Sequence, residues 1–192
     1  MKFGDVLYES KERVATITLN RPERFNAISE NMPDDIAAAF EHANNDDAVH
    51  VVVLTGAGRG FCGGYDLKAF AEKSGENPAI QDMPWDPMID YKFMSRCTQK
   101  LMSIWRCHKP VIARVHCDAV AGGSDIALCS YIIIMNEKSR IGYPPSRVWG
   151  CPTTAMWVYR LGAEKAKQML FSGDLISGKR AAEMGLIFQS VP

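Results

Sequence analysis

Short β-branched or apolar segments alternate with helical segments along most of this chain, and that alternation limits its fold more than any other feature. The segments with the period and composition of strands are 14–19, 49–54, 111–115, 132–135 and 186–191. The segments expected to form helices are 33–43, 67–72, 88–107, 124–130, 153–161, 163–170 and 177–184, and residues 74–87 are expected to form a loop. Such alternation predicts an α/β fold. Because there is no sequence repeat and no long linker, we expect one domain over residues 1–192.

The charges and cysteines exclude several classes of protein. Lysine plus arginine and aspartate plus glutamate both total 22, so no excess of positive charge favours a nucleic acid or an anionic membrane surface. The six cysteines form no CxxC pair and no cluster with zinc-ligand spacing, so we predict reduced thiols and no metal site. No apolar stretch is long enough for a membrane span, and the first residues do not resemble a targeting segment. These features predict a cytoplasmic protein, with the mitochondrial or peroxisomal matrix as the alternative in a eukaryote.

Two glycine-rich turns are the strongest sign of a functional site. The first covers Phe61–Leu67 and the second covers Ala119–Asp125, and each follows a predicted strand and leads into a predicted helix. Backbone N–H groups at the start of a helix have no partner within the helix, and glycine lets a ligand approach them closely. Two such turns that face one another would form an oxyanion hole, although tight turns alone also require glycine.

Other motifs near these turns give weaker signals. Gly58–Gly63 matches the G-x-G-x-x-G pattern of dinucleotide-binding turns, but residues 80–85, where an acid-ended second strand is expected, are typical of a loop. Ser124 is not in a nucleophile elbow, because Ile126 replaces the final glycine of G-x-S-x-G, so we expect it to cap the helix. The histidines are scattered and predict no triad by their spacing: His42, His50, His108 and His116.

Taken together, several segments resemble the crotonase superfamily, which contains the enoyl-CoA hydratases and isomerases. The matching segments, in chain order, are Thr18–Pro22, Asn26–Ile28, Val52–Gly56, Phe61–Leu67, Lys109–Ala113, Ala119–Gly123, Ile141–Gly142, Arg160–Gly162, Leu170–Gly173 and Ala181–Leu186. Their order and spacing hold over nearly the whole chain. This resemblance implies an α/β spiral of repeated ββα units that binds a CoA thioester in a bent conformation.

The resemblance also implies roles for particular residues. The thioester carbonyl would accept hydrogen bonds from the backbone N–H groups of Tyr65 and Gly122, and Asp125 would be the acid/base. The residues implied to contact the CoA moiety are Arg24, Asn26, Ala27, Gly64, Asp66, Leu67 and Lys68. Arg24 and Lys68 would meet its phosphates, unless they are solvated surface charges. No further cofactor is implied, because CoA is part of the substrate.

The sequence departs from the hydratase pattern at both catalytic carboxylates. Hydratases of the family use two glutamates; here the first position holds Asp125, one methylene shorter, and the second, 20 residues later, holds Pro145. Proline can neither donate nor accept a proton. Other polar residues near the same place receive no role from the sequence: Tyr143, Ser146, Arg147, Cys151, Thr153 and Thr154. Trp149 is a candidate for shaping an acyl pocket.

Hydration of a 2-enoyl-CoA is the reaction that the resemblance favours first. Double-bond isomerisation, decarboxylation and thioester hydrolysis use the same oxyanion hole and stay open, as does a non-catalytic acyl-CoA-binding or assembly protein. Family members continue with C-terminal helices that cover the acyl pocket and form trimers. Because this chain ends at Pro192, where those helices would begin, we expect that trimerisation region to be absent. A homotrimer or hexamer is expected only where those helices are present.

Overall fold

The computed structural model describes residues 1–70, 81, 83–148 and 150–192, which form two sheets surrounded by helices. The strands are β1 (Lys2–Phe3), β2 (Val6–Lys11), β3 (Val14–Leu19), β4 (Val51–Gly56), β5 (Val111–Val115), β6 (Ala119–Val120), β7 (Ile132–Asn136), β8 (Arg140–Gly142), β9 (Leu175–Ser177) and β10 (Gln189–Val191). The α-helices are α1 (Met32–Asn45), α2 (Leu67–Phe70), α3 (Pro87–Leu101), α4 (Gly122–Leu128), α5 (Met156–Ser172) and α6 (Gly178–Met184). Two 3-10 helices cover Pro22–Arg24 and Pro144–Arg147.

The larger sheet is mostly parallel and has seven strands in the order β1-β2-β3-β4-β5-β7-β10. The first three strands pair antiparallel, and the remaining neighbours pair parallel, with Ala15 opposite Val52 and Ala113 opposite Ile133. Parallel neighbours need a crossover between them, and the helices provide it. This arrangement confirms the predicted α/β fold.

The smaller sheet carries the second glycine turn. It has the order β6-β8-β9, in which Ala119 lies opposite Ile141 and Ile141 lies opposite Ile176. An isolated bridge joins Cys62 to Ala119, so the segment after β4 lies beside β6. The two glycine turns are therefore brought together by strand pairing rather than by sequence proximity.

The core lies between the larger sheet and the helices that cover one of its faces. Along β3, Ala15, Ile17 and Leu19 are fully buried while the residues between them are half-buried, as expected for alternating strand positions. Helix α1 contributes Ile36 and Phe40, which lie one turn apart and are also fully buried. Burial of such side chains typically contributes about 1.5–3 kcal/mol each, so the core holds the glycine turns on a rigid frame.

Most predicted elements occur near their predicted positions. Residues 14–19 and 111–115 form strands with the predicted bounds, and Gly162 interrupts the helical stretch Met156–Ser172 with φ 73° and ψ 167°. That interruption confirms two helical segments on either side of Gly162. No helix within the described ranges is both long and apolar enough to cross a membrane.

Several predicted bounds were wrong. The helix expected over 88–107 ends at Leu101 and is followed by turns, and only 189–191 of the strand expected over 186–191 pairs with a neighbour. Strands β1, β2, β6, β8 and β9 were not predicted, because most have only two or three residues. Residues 71–80 and 82, which contain the end of the predicted helix 67–72 and most of the predicted loop 74–87, lie outside the described residues.

Candidate active site

The two glycine turns are in direct contact. Val120 N donates to the Cys62 carbonyl at 3.0 Å, and a Cβ added to Gly123 would overlap that same carbonyl oxygen. Gly64 has a φ of +94°, and a Cβ there would lie 2.8 Å from Cβ of Ala121. Glycine is thus required at both positions, because any side chain would push the turns apart.

The amides of Tyr65 and Gly122 are available to a ligand. Ile28 pairs with Tyr65 through bonds from Ile28 N to the Gly64 carbonyl, 2.8 Å, and from Asp66 N to the Ile28 carbonyl, 3.0 Å. These bonds leave Tyr65 N unused, and Gly122 N is unused at the start of α4, within the part of the chain that the structure describes. The Tyr65 ring lies against Gly122, since a Cβ on Gly122 would be 3.1 Å from two ring carbons. Both N–H groups therefore belong to one small region, as an oxyanion hole requires.

The entry to α4 is strained. Ala121 is the N-cap residue and has φ 53° and ψ −126°, a conformation that residues with a Cβ rarely adopt. Such backbone strain costs about 1–3 kcal/mol and persists only where surrounding contacts enforce it. Ala121 N donates to the Gly142 carbonyl at 2.9 Å, so β8 helps to hold the turn in this conformation.

The capping role expected for Ser124 was wrong. Ala121, not Ser124, occupies the N-cap position of α4. The Ser124 hydroxyl is inside the first turn, where it donates to the Ala121 carbonyl at 2.6 Å. Its proton is used by the backbone, in keeping with the prediction that Ser124 is not a nucleophile.

Asp125 is almost completely buried, with 2% of its surface exposed. Its Oδ1 accepts a hydrogen bond from the Thr154 hydroxyl at 3.0 Å. Burial raises the pKa of this carboxyl to about 7, and the bond from Thr154 opposes that rise only in part. Among the described residues no cation offsets the effect of burial, so the pKa of Asp125 lies near neutral pH.

Two tyrosines flank Asp125. Burial raises the pKa of Tyr65 and Tyr143, and the charge of Asp125 adds to both shifts. The Tyr143 hydroxyl donates to the Cys151 carbonyl at 3.1 Å, while the buried Tyr65 hydroxyl lies beside the Cys97 thiol. Both phenols therefore stay protonated at neutral pH and leave Asp125 as the group that titrates there.

Pro145 lies in the 3-10 helix Pro144–Arg147 and offers no acid at the second carboxylate position. The polar residues around it are used structurally: Ser146 donates to the Tyr143 carbonyl at 2.9 Å, and Arg147 pairs with Asp174 at 2.5 Å. Cys151 is exposed, and Trp149 lies outside the described residues. Among the described polar residues of this region, Thr154 is the one that forms a hydrogen bond with Asp125, and no motif in the sequence pointed to that contact.

Within the described residues, no histidine side chain is hydrogen-bonded to a serine, cysteine or carboxylate side chain in the manner of a catalytic triad. The His116 ring contacts the Gly58 carbonyl at 3.0 Å, and the His42 ring packs edge-on against Tyr8 with ring centroids 4.7 Å apart. His108 contacts Asn44 through its backbone N–H. Within the described residues, no group of three or more His, Cys, Asp or Glu side chains is arranged to hold a metal ion.

Arg21 links the two segments that hold the predicted CoA-contact residues, Asn26–Ala27 and Gly64–Lys68. The Asn26 side chain is buried and fully engaged, since it accepts from Arg21 N at 2.8 Å and donates to the Ala57 and Gly60 carbonyls. Arg21 also donates to the Ala27 carbonyl at 2.6 Å and pairs with Asp66 at 3.0 Å. Asn26 is fully buried, and its backbone N–H and carbonyl are also hydrogen-bonded, so a ligand can contact this segment only at the half-buried Ala27.

Asp66 is buried but paired. Burial alone would raise its pKa, but the hydrogen bond and charge of Arg21 outweigh it, so the pKa lies below its ordinary range. Its Oδ1 accepts from Lys68 N at 3.2 Å, which orders the start of α2. Asp66 therefore has the environment of a structural carboxylate.

The exposed rim near the Arg21–Asp66 ion pair carries apolar and basic side chains. Arg24, Leu67 and Lys68 are exposed, as is Phe25, whose backbone is left-handed with φ 51°. The Arg59 guanidinium lies over the Phe25 ring at 6.0 Å from its centroid.

The G-x-G-x-x-G segment Gly58–Gly63 contains an isolated β-bridge at Cys62 and is not followed directly by a helix. It therefore lacks the helix start that a dinucleotide-binding turn requires.

One separate depression of about 590 Å³ lies at the N-terminal hairpin, away from the glycine turns. Its walls include Leu7 and Thr16 from one face of the hairpin and Tyr8 and Ser10 from the other. Because its walls belong to opposite faces, it is an open edge of the sheet rather than an enclosed ligand cavity.

Comparisons with known proteins agree with this geometry. The family model described as enoyl-CoA hydratase/isomerase matches residues 9–192. The enoyl-CoA hydratase EchA19 of Mycobacterium tuberculosis is 31% identical over 191 residues, which cover 98% of this chain and 68% of that protein. A crystal structure of an enoyl-CoA hydratase from Mycobacterium smegmatis has a TM-score of 0.88 and 45% identity, and covers 96% of this chain and 65% of that one.

A structure of an enoyl-CoA hydratase/isomerase from Xanthobacter autotrophicus Py2 gives a TM-score of 0.87 at 32% identity, covering 99% of this chain and 68% of that one. The chain thus spans about two thirds of the length of these relatives. The structural agreement confirms the crotonase-like fold expected from the sequence. The chain belongs to the enoyl-CoA hydratase/isomerase family.

Proposed function

We propose that this protein acts on acyl-CoA thioesters through an enolate, with Tyr65 N and Gly122 N as the oxyanion hole and Asp125 as the acid/base. The observation that carries the proposal is a buried carboxyl, three residues after Gly122 and on the same face of α4, whose pKa is raised to about 7. A proton-transfer group works best when its pKa lies near the pH at which it operates.

The oxyanion hole acts on the charge that develops during the reaction. Removal of a proton next to a thioester carbonyl places negative charge on the carbonyl oxygen, where two fixed N–H donors stabilise it. Loss of one such donor typically costs about 2.7–4 kcal/mol of transition-state stabilisation. The strained turn at Ala121 supports this role, because it holds Gly122 N in place before the substrate arrives.

Hydration of a 2-enoyl-CoA is the first reaction that we propose, supported by the names of the relatives described above. One carboxylate is sufficient if it acts twice. Ionised Asp125 takes a proton from water as the water oxygen bonds to the β-carbon, and it then returns that proton to the α-carbon of the enolate. The water thus adds across the double bond, and Asp125 ends in its starting state.

Double-bond isomerisation is the second candidate, and Pro145 favours it. An isomerase needs one group to remove a proton from one carbon and return it to another, with no water to activate. Pro145 leaves Asp125 without the second carboxylate that hydratases of the family use. Decarboxylation, thioester hydrolysis and acyl-CoA binding without turnover are further possibilities on the same scaffold, and product analysis separates them.

The proposal for CoA binding uses the rim of the site. Arg24 and Lys68 are exposed basic residues beside the paired segments Asn26–Ile28 and Gly64–Asp66, so their charges are placed to meet phosphates of CoA. No cofactor is proposed beyond the CoA of the substrate. A homotrimer or hexamer, and a cytoplasmic or organelle-matrix location, stay predictions.

The proposal is tested by incubating the protein with short, medium and aromatic enoyl-CoA thioesters in D₂O, followed by mass spectrometry. We expect deuterium at the carbon next to the thioester. A product that has also gained water indicates a hydratase, and a product of unchanged composition apart from deuterium indicates an isomerase. Binding of every thioester without deuterium uptake or product would contradict the enzyme proposal and favour the non-catalytic alternative.

A further inference from the structure

Thr154 is a buried polar residue that ties the segment before α5 to the catalytic turn. It is 4% exposed, and its hydroxyl donates to Oδ1 of Asp125 at 3.0 Å across 29 residues of sequence. Within the described ranges, this is the one side-chain hydrogen bond that Asp125 makes. The contact therefore determines how the carboxyl group is held.

We propose that Thr154 is a positioning residue that fixes one oxygen of Asp125 and leaves the other free to exchange a proton with the substrate. This inference rests on the proposed function of Asp125.

The chemistry of the Thr154 and Asp125 side chains supports different roles for the two carboxyl oxygens. A threonine hydroxyl has one proton to donate, so the bond to Oδ1 occupies one carboxyl oxygen only. Oδ2 has no hydrogen-bond donor within the part of the chain that the structure describes. Restricting the rotation of a carboxyl group that is one methylene shorter than glutamate keeps Oδ2 at a constant distance from the oxyanion turn.

The same bond also affects ionisation. Donation to the carboxylate stabilises the charged form, so it lowers a pKa that burial raises. Removing the hydroxyl should therefore raise the pKa of Asp125 above about 7. The ionised base would then form only at higher pH.

The groups around Asp125 do not titrate in the same range. Tyr65, Tyr143 and Cys129 are the titratable neighbours on which its charge acts, and burial raises the pKa of each. The Arg160 guanidinium faces α4 from α5, where its Nε donates to the Leu128 carbonyl at 2.8 Å. All four keep their charge state between about pH 5 and 8, so a shift in that window reports on Asp125.

The test compares kcat/KM against pH for wild type, Thr154→Val and Thr154→Ser. Valine has the shape of threonine without the hydroxyl, and serine restores it. On the acidic side of the profile, kcat/KM falls as Asp125 becomes protonated. We expect Thr154→Val to shift this acidic limb to higher pH by about one unit, because a hydrogen bond to a charged group stabilises that group more than a bond between neutral groups does. Activity at pH 5.5 should then fall about tenfold, while activity above the new limb should recover and Thr154→Ser should match wild type.

Two controls keep the result interpretable. Thr153→Val changes a half-buried threonine that makes no hydrogen bond among the described residues, and we expect it to leave the acidic limb unchanged. If Thr154→Val does not fold, Thr154→Ala and Thr154→Ser provide a second pair that differs by one hydroxyl. An acidic limb at the same pH with and without the hydroxyl, in either pair, would overturn the inference if the pKa of the Asp125 carboxyl is also unchanged.

An infrared titration of the Asp125 carboxyl band, taken as wild type minus Asp125→Asn, separates this inference from the proposed function. A higher pKa in Thr154→Val with no change in the pH–rate profile would mean that the hydrogen bond acts on Asp125 but that Asp125 is not the acid/base. An unchanged carboxyl pKa in a folded Thr154→Val would reject the positioning role itself.

Discussion

Two carboxylates are buried in the described part of the chain, one in each glycine turn, and their environments are opposite. Asp66 follows Gly64 and pairs with Arg21 at 3.0 Å, so its pKa lies below the ordinary range despite burial. Asp125 follows Gly122 and has a neutral hydroxyl as its partner, so burial raises its pKa to about 7. Burial is thus common to both, and the partner decides whether a carboxylate stabilises the fold or is available for proton transfer.

The largest expected difference between the two is in how stability depends on pH. The native state holds the Asp125 proton up to a pKa of about 7, while an unfolded aspartate releases it near 4. Stability therefore falls as pH rises through this window, by about 4 kcal/mol in total. Denaturant unfolding at several pH values should show this loss in wild type, and its absence in Asp125→Asn. Equal pH slopes in the two proteins would contradict the raised pKa.

Asp66 should show the reverse dependence. Its pKa is lowered in the native state, so its contribution is present at neutral pH and is lost as the pH falls through its folded pKa. Asp66→Asn should consequently flatten the acid side of the stability profile and leave the neutral side parallel to wild type. A wild-type acid slope in Asp66→Asn would remove the contrast between the two residues.

The next effect concerns the turn that precedes Asp125. Gly122→Pro deletes one oxyanion donor and should lower kcat by about 100–1,000-fold. Any Cβ at this position meets Cδ1 of Ile28 at 2.8 Å, so Gly122→Ala, which keeps the N–H, is the matched control for crowding. Steady-state kinetics on both variants, with circular dichroism to verify folding, makes the comparison. Equal activity of the proline and alanine variants would reject Gly122 N as a donor.

Asp66→Asn should have a smaller effect, on stability at neutral pH. The substitution removes the nearest carboxylate partner of the half-buried Arg21. Asp5, 3.6 Å from the Arg21 guanidinium, compensates in part for the lost ion pair. We expect a loss of about 1–3 kcal/mol in the free energy of unfolding. The control Asp34→Asn removes two more exposed ion pairs, with Arg96 and Lys100, and should cost less than about 1 kcal/mol for each pair. Equal losses of unfolding free energy in Asp66→Asn and Asp34→Asn would show that burial of the Arg21–Asp66 pair does not add to stability.

The smallest effect is expected at the rim. Lys68→Ala should raise KM for an acyl-CoA several-fold, since one exposed charge contributes about 1 kcal/mol to an ion pair. KM for the matching pantetheine thioester, which lacks the nucleotide phosphates, should not change. Lys11→Ala, at the N-terminal hairpin, is the control for net charge. Equal increases for both thioesters would place the Lys68 effect elsewhere than at the phosphates.

Much of this arrangement follows from local sequence, and the remainder depends on long-range contacts. The strand over 111–115 and the break at Gly162 are set by composition and backbone geometry within a few residues, so they were predicted well. Strands β6 and β8 have two and three residues, and they form only because the glycine turns and β9 lie beside them. No local pattern describes such pairing.

The candidate active site likewise combines features that local sequence predicts with features that depend on long-range contacts. The glycine turns were apparent from the sequence, and the resemblance to the crotonase superfamily implied the position of Asp125. The Thr154 contact spans 29 residues, and the hydrogen bonds of the Asn26 side chain to Ala57 and Gly60 span 31 and 34. A polar residue in a loop therefore revealed its role only when the fold brought its partner within reach.

The most direct test of the account is the exchange of the α-proton of a saturated acyl-CoA in D₂O, measured by NMR for wild type, Asp125→Asn and the surface control Asp34→Asn. Acyl-CoA affinity is measured in parallel by calorimetry. We predict that Asp125→Asn binds the thioester as wild type does but exchanges its α-proton about 100–10,000-fold more slowly, while Asp34→Asn exchanges at the wild-type rate. Exchange by Asp125→Asn at the wild-type rate would show that another group moves the proton and would contradict the central claim.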